Sequence, residues 1–587
     1  MSLTKRIPGV LSLVAALVLA GGCDTLKVDN PNAPDSPRLL SDPATVRSIA
    51  VGAMRTWYNT TQYMDPDGAL IVTARSHVAS WNNWQIRVYT GCTSVAWSTY
   101  PNGTCGTTAG TYPRIEWQND PAASARIQIE AYWYGYYSAL SSANDVIKAI
   151  RVNNVFSDPA VETMAVLTQG LALSGIALNY DKGFIVAYTT PADSLTVLPF
   201  STRTEMRDAA LAKFDEAISL ATANTFTVPG EFFDNAGPTY TSAKIAQIAN
   251  TMAARTLVYF PRDAVENATV NWTKVLGYAS KGISSGTSFD WVFRHDGCVN
   301  WCDYLKNWSN EVGTMRVHTR VAHLLDPTTQ PDPWNAAAER QPAWGTTSFD
   351  KRLGDGTYGP VGVHTGTNPG VDSVTETPSA TANAGTDFVW SYDKEIQPAA
   401  RGAWHQSAIG QVRYIKMTDM DPNGSGNGLG DAPIVLAAEN DLLWAEALIR
   451  GTPQDLTTAA AKINKTRNGR GGLANLTGGE TTAQMLSALQ YEQDVELLGS
   501  NVAPYYNQRR LDALEPLTPH EMPVPAKELG VLQQPIYTWG GANPANSNPS
   551  APAPSVRALR TLQQMWPQAE QQMLLQARLG SRLRARQ

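Results

Sequence analysis

Apolar residues recur three and four positions apart along much of the chain, and this pattern predicts a series of separate helices. The predicted helix 161–180 carries few charged residues, so we expect it to be buried on nearly all sides. By contrast, 203–223 is amphipathic and should bury only one face. The predicted helices span residues 41–58, 123–150, 161–180, 203–223, 241–260, 272–283 and 481–498.

The clearest helical hairpin covers residues 432–470. Asp431 is the predicted N-cap, and Pro433 suits the first turn because its missing N–H would have no helical partner there. Gly451-Thr452-Pro453 ends the first helix, and a second helix follows. The pair has about 35 residues, the size of one tetratricopeptide unit. Recurring units of this kind favour a helical array, although no sharp repeat is present.

Two aromatic-rich stretches lack a helical period and are predicted to be loops. The first, residues 81–117, interleaves its rings with Gly, Thr and Asn, and the second covers residues 289–308. Residues 327–430 consist mostly of Gly, Thr, Pro, Asn and Asp. So long an irregular stretch is usually functional or forms a packed subdomain of loops.

The N-terminus has the pattern of a targeting segment. Lys5 and Arg6 precede a short apolar run over 11–20, which is too short to span a membrane as a permanent helix. The small residues before Cys23 predict a bacterial lipoprotein cleavage site with Cys23 as the lipidated residue. Ala20 stands where such sites usually have Leu. The alternative is an ordinary signal peptide with a chance cysteine.

Composition narrows the class of protein. With 587 residues, 43% of them hydrophobic, the chain is long enough for a large core and more than one subdomain. Its net charge of −6 argues against nucleic acid as a main partner, because phosphate binding requires a basic surface.

Four further cysteines, Cys92, Cys105, Cys298 and Cys302, predict two disulfides in an exported protein. The local pairs Cys92–Cys105 and Cys298–Cys302 are favoured among the three connectivities that four cysteines allow. Free thiols are the alternative. A metal site of His295, Cys298 and Cys302 would lack a clear fourth ligand.

Catalytic motifs are weak in this sequence. Glu439 and Glu446 are seven residues apart, so they share a helix face with backbones about 10 Å apart. Inverting glycosidases need carboxyl groups about 6.5–9.5 Å apart, so geometry allows such a pair. Their Ala-rich helix favours structural roles instead. His318 and His323 lie on different helix faces, unlike a zinc-binding pair. The sequence contains no G-x-S-x-G motif, phosphate loop or dinucleotide fingerprint.

Asp419, Asp421 and Asn423 resemble the start of a calcium loop, because oxygen ligands at alternate positions suit Ca²⁺. Gly430 replaces the closing Glu of such a loop, so a simple turn is the favoured interpretation. No cofactor is predicted.

The aromatic clusters are the strongest binding signal. Sugar rings present apolar C–H faces that stack on Trp and Tyr, and sugar hydroxyls bind Asn, Asp and Arg. The alternative is that these rings pack loops against helices or contact a partner protein. The predicted ligand-binding residues are Trp81, Asn82, Trp84, Arg87, Trp97, Trp301, Tyr304 and Trp308.

Several blocks, in order along the chain, resemble the SusD/RagB family of outer-membrane nutrient-binding lipoproteins. No single block is specific to this family, but the order of the blocks along the chain is. They are Val28-Asp29-Asn30-Pro31-Asn32; Trp133, Tyr137 and Ala143-Asn144-Asp145; Pro433, Ala438-Glu439 and Ala445-Glu446-Ala447; Ile463-Asn464 and Arg467-Asn468-Gly469-Arg470; Tyr491-Glu492, Val495-Glu496-Leu497 and Arg509-Arg510; His520, Pro523-Val524-Pro525 and Glu528-Leu529; and Tyr537-Thr538-Trp539-Gly540-Gly541.

The resemblance implies a mainly α-helical fold with four tetratricopeptide-like units and a loop-rich second subdomain. It implies a non-enzymatic protein, lipid-anchored to the bacterial outer membrane and exposed at the cell surface. Such a protein captures an oligosaccharide, or in some members a peptide, for a SusC-like TonB-dependent transporter. The rival hypotheses are a secreted glycoside hydrolase and a helical-repeat assembly lipoprotein without a small ligand.

The resemblance also sets the expected organisation of the chain. The departures from the family pattern are Ala20 in the lipid box, the cysteine-containing insert at 92–105 and the basic tail. The expected segments are a signal peptide 1–22, a tether 23–37, a helical region 38–290 with the aromatic insert, a loop-rich region 291–431, a C-terminal family-like region 432–541, and a linker with a basic helix at 542–587.

Overall fold

The computed structural model describes residues 40–79, 89, 116–191, 198–235, 237–310, 315–327, 350–353, 387–390, 407, 409–414, 417, 429–514 and 518–541. Within these ranges the protein is mainly helical with a few short strands, which confirms the predicted fold class. The predicted signal peptide, tether and basic C-terminal helix lie outside the described residues.

The α-helices follow one another along the chain with short strands between some of them. They are α1 Pro43–Thr61, α2 Met64–Thr73, α3 Ile127–Arg151, α4 Pro159–Asn179, α5 Arg203–Ala223, α6 Ser242–Tyr259, α7 Ala264–Asn267, α8 Trp272–Ala279, α9 Tyr304–Ser309, α10 Thr319–Leu325, α11 Ala437–Arg450, α12 Leu456–Arg467, α13 Thr482–Val495, α14 Ala503–Arg510 and α15 Ala526–Val531.

The strands pair two by two in antiparallel fashion. The pairs are β1 His77–Ala79 with β5 Met315–Val317, β2 Lys182–Gly183 with β3 Ser201–Thr202, β4 Trp291–Asp296 with β8 Leu429–Val435, and β6 Phe388–Trp390 with β7 Ile409–Gln411.

Neighbouring helices pack side by side as an array. Helices α1, α3, α4, α5 and α6 each pack against the next in that order, and α8 lies against both α6 and α11. Helix α11 also packs against α12 and α13. One hydrophobic core runs through these helices from Val46 to Leu529. The predicted array of helical hairpins is therefore present.

Helix α4 is the most apolar of the described helices. It is long and apolar enough to cross a membrane, but 89% of its apolar window is buried inside the protein. Its neighbours α3 and α5 cover it. This helix is the central element of the core, as its lack of charge predicts.

Helix α5 has the bounds that the sequence predicts, Arg203–Ala223. Thr202 caps it by accepting from the Glu205 amide, and the Glu205 carboxylate accepts from the Thr202 amide in return. This reciprocal capping box satisfies amides that a helix N-terminus otherwise leaves unpaired. The boundary was predictable because its signal is local.

The start of the 432–470 hairpin was predicted incorrectly. Residues 429–435 form strand β8, in which Asp431 lies opposite Arg294 and Pro433 lies opposite Val292, beside a register shift. Proline is tolerated at such edge positions and bulges. Helix α11 begins at Ala437, whose amide donates to the Asp290 carboxylate at 2.7 Å. A distant carboxylate, rather than Asp431, therefore caps this helix.

A second, smaller core joins parts of the loop-rich region to α13. It includes Val317, Leu353, Phe388 and Ile409 together with Val495 at the end of α13. Next to it, the fully buried Arg352 donates to Glu492 at 2.8 Å and to Glu496 at 3.0 Å, both at the C-terminal end of α13. The described parts of the loop-rich region are therefore packed against the helices.

Candidate functional site

The second aromatic cluster, predicted to be a loop, contains strand β4 and helix α9. Between them the chain turns around the carboxylate of Asp296. This carboxylate accepts hydrogen bonds from the amides of Val299, Asn300 and Trp301 at 3.0–3.1 Å. Asn59 on α1 binds the same turn through the Asn300 carbonyl at 2.8 Å and the Cys302 amide at 3.0 Å. The turn is therefore held in one conformation against α1.

Cys298 and Cys302 form a disulfide across this turn, with an S–S distance of 2.02 Å. His295 lies nearby, and the ligand atoms of the three residues are within 4.8 Å of one another. Both sulfur atoms are bonded to each other, and His295 Nδ1 accepts from the Asp303 amide at 3.0 Å. Neither cysteine thus offers a thiolate to a metal in this state. The predicted partners Cys92 and Cys105 lie outside the described residues.

Trp301 lies in the core. Its side chain is 3% exposed, and its ring packs against Tyr58 at 5.7 Å and Phe293 at 5.6 Å between centroids. The same group continues through Trp291, which stacks on Trp57 at 5.4 Å. Trp301 therefore has no ring face open to a ligand in this conformation.

Tyr304 and Trp308 lie on α9 and are only partly buried. Tyr63, also partly buried, meets Tyr304 edge to face with centroids 5.9 Å apart. Beside them, burial raises the pKa of Asp65 to about 6. This group combines the three partly exposed rings with the buried carboxyl group of Asp65.

A buried lysine fixes the underside of α9. The Lys306 ammonium donates to Asp303 at 2.9 Å, to Gln62 at 3.2 Å and to the Ser500 carbonyl at 2.7 Å. Lys306 and Asp303 are both fully buried. The additional hydrogen bonds compensate the cost of burying the ion pair. They also attach α9 to Gln62 and to Ser500. The outer rings are thus mounted on a rigid support.

Strands β1 and β5 connect the two predicted aromatic clusters. Ala79, the last residue of β1, is paired with Met315, the first residue of β5. Trp81 follows Ala79 by two residues in the sequence, and Met315 comes shortly after α9. Ala79 therefore lies near α9, which carries Tyr304 and Trp308, and the sequence continues from Ala79 to Trp81, Asn82, Trp84, Arg87 and Trp97. These five residues themselves lie outside the described residues.

The far end of the first cluster is held by the C-terminal segment. Trp117 donates from its indole nitrogen to the Glu521 carbonyl at 2.9 Å, and its amide donates to the Trp539 carbonyl at 3.1 Å. Tyr89 packs on Trp117 with centroids 5.1 Å apart and donates to Gln128 at 2.9 Å. These described ends of the aromatic segment are integral to the core.

Glu439 is a structural carboxylate. It is fully buried and accepts from Arg255 at 2.6 Å, from the Tyr259 hydroxyl at 2.8 Å and from Asn501 at 2.9 Å. These three partners tie α11 to α6 and to the segment before α14.

Glu446 is equally occupied. Arg510 donates to both of its oxygens, and Arg450 and Gln493 donate as well, at 2.8 and 3.1 Å. Burial alone would raise the pKa of Glu446, but the charge of Arg510 and the hydrogen bonds lower it to about 2. A general acid needs a pKa near the operating pH, so Glu446 is unsuited to that role.

His318 and His323, which the sequence does not predict to form a zinc-binding pair, both belong to the region of α10. His318 is the N-cap of α10 and accepts from the Arg320 amide at 2.9 Å, and His323 lies further along the helix. The candidate calcium residues Asp419, Asp421 and Asn423 lie outside the described residues.

The structure also reveals a group that the sequence did not single out. Lys182 lies with its ammonium over the rings of Phe200 and Tyr537, at 4.7 and 4.9 Å from their centroids. Lys182 and Phe200 are neighbours through the pairing of β2 with β3, but Tyr537 lies far away in the sequence, so no local pattern joins the three residues.

No family model matches the chain, and no curated protein matches it. Solved structures show similarity at 11–14% identity. A SusD superfamily protein from Bacteroides vulgatus has 14% identity and a TM-score of 0.46, covering 80% of this chain and 88% of that one. A SusD-like carbohydrate binding protein from Bacteroides vulgatus has 14% identity and a TM-score of 0.48, covering 80% and 84%. A SusD homolog from Bacteroides thetaiotaomicron has 12% identity and a TM-score of 0.46, covering 80% and 88%.

Proposed function

We propose that this protein is a non-enzymatic lipoprotein of the bacterial cell surface that captures an oligosaccharide and delivers it to a SusC-like TonB-dependent transporter. Its ligand site includes the partly exposed side chains of Tyr63, Tyr304 and Trp308, and we expect Trp81, Asn82, Trp84, Arg87 and Trp97 to contribute to it. No bond is broken during capture, and affinity comes from ring stacking and hydrogen bonds.

The pairing of Ala79 with Met315 is the observation that carries this proposal. It places the end of β1, two residues before Trp81 in the sequence, next to β5, which packs against α9. Without this pairing, nothing would indicate that two clusters so far apart in the sequence contact the same ligand. The buried Lys306–Asp303 pair fixes the backbone of α9, which carries Tyr304 and Trp308. A helix that is already fixed does not have to be ordered when a ligand binds.

The structural roles of Glu439 and Glu446 argue against hydrolysis. Glu439 and Glu446 were the best candidates for a glycosidase pair, and both are buried and bound by arginine. A retaining or inverting glycosidase needs carboxyl groups that face the scissile bond. This argument opposes the hydrolase hypothesis for this pair.

The lipid anchor and the transporter partner are proposed from the sequence alone. The basic start, the short apolar run and Cys23 support lipidation after export. The ordered blocks that resemble SusD/RagB proteins support delivery to a SusC-like transporter. Labelling cells with a palmitate analogue, with Cys23→Ser as the control, would test the anchor. Co-purification with a TonB-dependent receptor would test the partner.

Affinity electrophoresis in gels containing a panel of plant and microbial polysaccharides tests the ligand site. We expect wild type to be retarded by at least one glycan, and Trp308→Ala and Tyr304→Ala to lose most of that retardation. Trp444→Ala is the matched control, because Trp444 is also partly buried but lies on α11 beneath the Lys462 ammonium. Undiminished retardation of a Tyr304→Ala/Trp308→Ala double variant would refute the site.

The same panel distinguishes the rival functions. Release of reducing ends by the pure protein would support the hydrolase hypothesis. If wild type binds neither glycans nor peptides but co-purifies with an outer-membrane protein, the assembly-lipoprotein hypothesis would be favoured.

A further inference from the structure

Lys182 is held at the surface by a short two-stranded sheet. It lies in β2 opposite Thr202 of β3, and Phe200 immediately precedes β3. Thr202 in turn caps α5 through the capping box. The backbone of this lysine is therefore fixed at the start of a long, well-packed helix, and its side chain is directed toward Phe200.

The ammonium of Lys182 has aromatic partners and no ion pair. It lies over Phe200 and Tyr537, at 4.7 and 4.9 Å from the ring centroids. Within the described part of the chain, Lys182 forms no salt bridge with a carboxylate. Ring faces attract a cation but accept few hydrogen bonds. This ammonium thus retains N–H donors for an anionic group.

The surrounding rings form a wall beside the ammonium. Phe184 stacks on Phe200 with centroids 4.5 Å apart, and Trp539 meets Tyr537 edge to face at 5.4 Å. All four rings are partly exposed. Apolar walls exclude water from one side of the charge and so strengthen its attraction for an anion.

The charged groups near Lys182 are largely neutralised. Asp181 accepts the Tyr537 hydroxyl with both carboxylate oxygens, at 2.9 and 2.8 Å. Glu521 is bound by Arg262 at 3.2 Å and lies 4.0 Å from Arg203. Burial, opposed by the Tyr537 hydrogen bond, raises the pKa of Asp181 to about 7. Below that pH, Asp181 is neutral and Lys182 dominates the local charge.

This group adjoins the far end of the first aromatic cluster. Trp539 accepts from the Trp117 amide at 3.1 Å, and the Thr538 hydroxyl donates to the Trp117 carbonyl at 2.6 Å. The proposed subsite therefore lies beside Trp117, the last residue of the first aromatic cluster.

We propose that Lys182, with Tyr537 and Trp539, forms a subsite for the carboxylate of a uronic acid residue in an acidic oligosaccharide. This inference rests on the proposed function and specifies its substrate class. The ammonium binds the carboxylate, and the C–H face of the same sugar packs against the exposed part of the Trp539 ring. A sugar that carries its own carboxylate provides both contacts at once, which a neutral sugar does not.

Affinity electrophoresis with pectate, alginate and hyaluronan, each beside its carboxyl-reduced neutral form, tests this subsite. We expect at least one acidic glycan to bind about tenfold more tightly than its reduced form. Lys182→Met should remove that preference, and Lys182→Arg should preserve most of it. Equal melting temperatures of these variants would show that the fold is retained.

The subsite and the proposed function fail in distinguishable ways. If Trp308→Ala abolishes binding of neutral glycans while Lys182→Met leaves acidic glycans fully bound, the subsite is refuted and the proposed function stands. Binding of an oligoglutamate peptide, without binding of any acidic glycan, would also overturn the subsite. Loss of all glycan binding in wild type would refute both.

The pH provides an independent measurement. Uronate carboxylates stay ionised at pH 6, whereas Asp181 becomes neutral below about 7. We expect wild type to bind the acidic glycan several-fold more tightly at pH 6 than at pH 8. Asp181→Asn, which can still accept from Tyr537, should bind with the higher affinity at both pH values. An Asp181→Asn variant with the pH dependence of wild type would contradict the proposal.

Discussion

Arg510 donates two parallel hydrogen bonds to Glu446, at 2.7 and 2.6 Å, although the two residues lie on different helices, α14 and α11. Both side chains are almost completely buried. This pair joins the C-terminal hairpin to the segment that closes the array, and it turns a suspected catalytic carboxylate into a structural one.

Glu446→Gln should therefore destabilise the protein strongly. Removing one partner of a buried ion pair leaves the other charge uncompensated, which costs about 3–5 kcal/mol. Urea denaturation measures this loss. Glu231→Gln is the control, because Glu231 is exposed and should change stability little.

The stability that Glu446 contributes should depend on acid pH. Its pKa is lowered to about 2 from an ordinary value of 4.5. A lowered pKa means that the contribution is complete above 4.5 and is lost as the pH falls toward 2. The difference between wild type and Glu446→Gln should therefore shrink between pH 4.5 and pH 3. A difference that stays constant over this range would contradict the assigned ion pair.

Trp301 and Trp308 should separate folding from binding. Trp301 is 3% exposed and surrounded by rings, so Trp301→Ala should cost about 3–5 kcal/mol of unfolding free energy. Trp308→Ala should change stability by much less and reduce glycan retardation. Trp301→Phe keeps a ring in the core and should recover most of the loss. The reverse pattern would exchange the two roles.

Asp181→Asn should stabilise the protein at alkaline pH. The folded-state pKa of Asp181 is raised to about 7 from 3.8, so its favourable contribution is complete below 3.8 and is lost as the pH rises through 7. Asparagine does not ionise, so the stability of the variant does not fall in this way as the pH rises. Its advantage should grow from near zero at pH 4 to roughly 3 kcal/mol at pH 8. Asp208→Asn, at a side chain 59% exposed, should show no such trend in melting experiments.

Asn440 should contribute strongly to stability at the place where α6, α8 and α11 meet. It accepts from Thr251 on α6 at 2.9 Å and donates to the Ala279 carbonyl at the end of α8 at 2.9 Å and to Ser284 at 2.7 Å. Asn440→Ala removes these three buried hydrogen bonds, at about 0.5–1.5 kcal/mol each. Asn464→Ala, whose hydrogen bonds stay within the α12 turn region, should cost less. Hydrogen exchange of α8 amides would show whether that helix loosens first.

The helices were predictable because their signals are local. Helix α5 has the predicted bounds, and Asp455 caps α12 by accepting from the Thr458 amide. The start of α11 was not predictable, because β8 forms only through pairing with β4 and the cap comes from Asp290. Long-range contacts of this kind override local propensity.

The candidate site was predictable only in part. Ring-rich composition indicated Tyr304 and Trp308, but it could not separate them from Trp301, since burial depends on the neighbours of each ring. Lys182 was invisible in sequence because Tyr537, one of its two aromatic partners, lies far away in the chain.

Strands β4 and β8 place residues 296 and 429 side by side, so the two ends of the sequence between them are joined. Within that sequence, the described residues are attached to the array again where β5 pairs with β1 and where the fully buried Arg352 binds Glu492 and Glu496. When the ends of a loop are already joined, doubling its length costs only about 0.6 kcal/mol of closure entropy. Changes in chain length between these attachment points should therefore cost little, whereas changes at the attachment points themselves should cost much more.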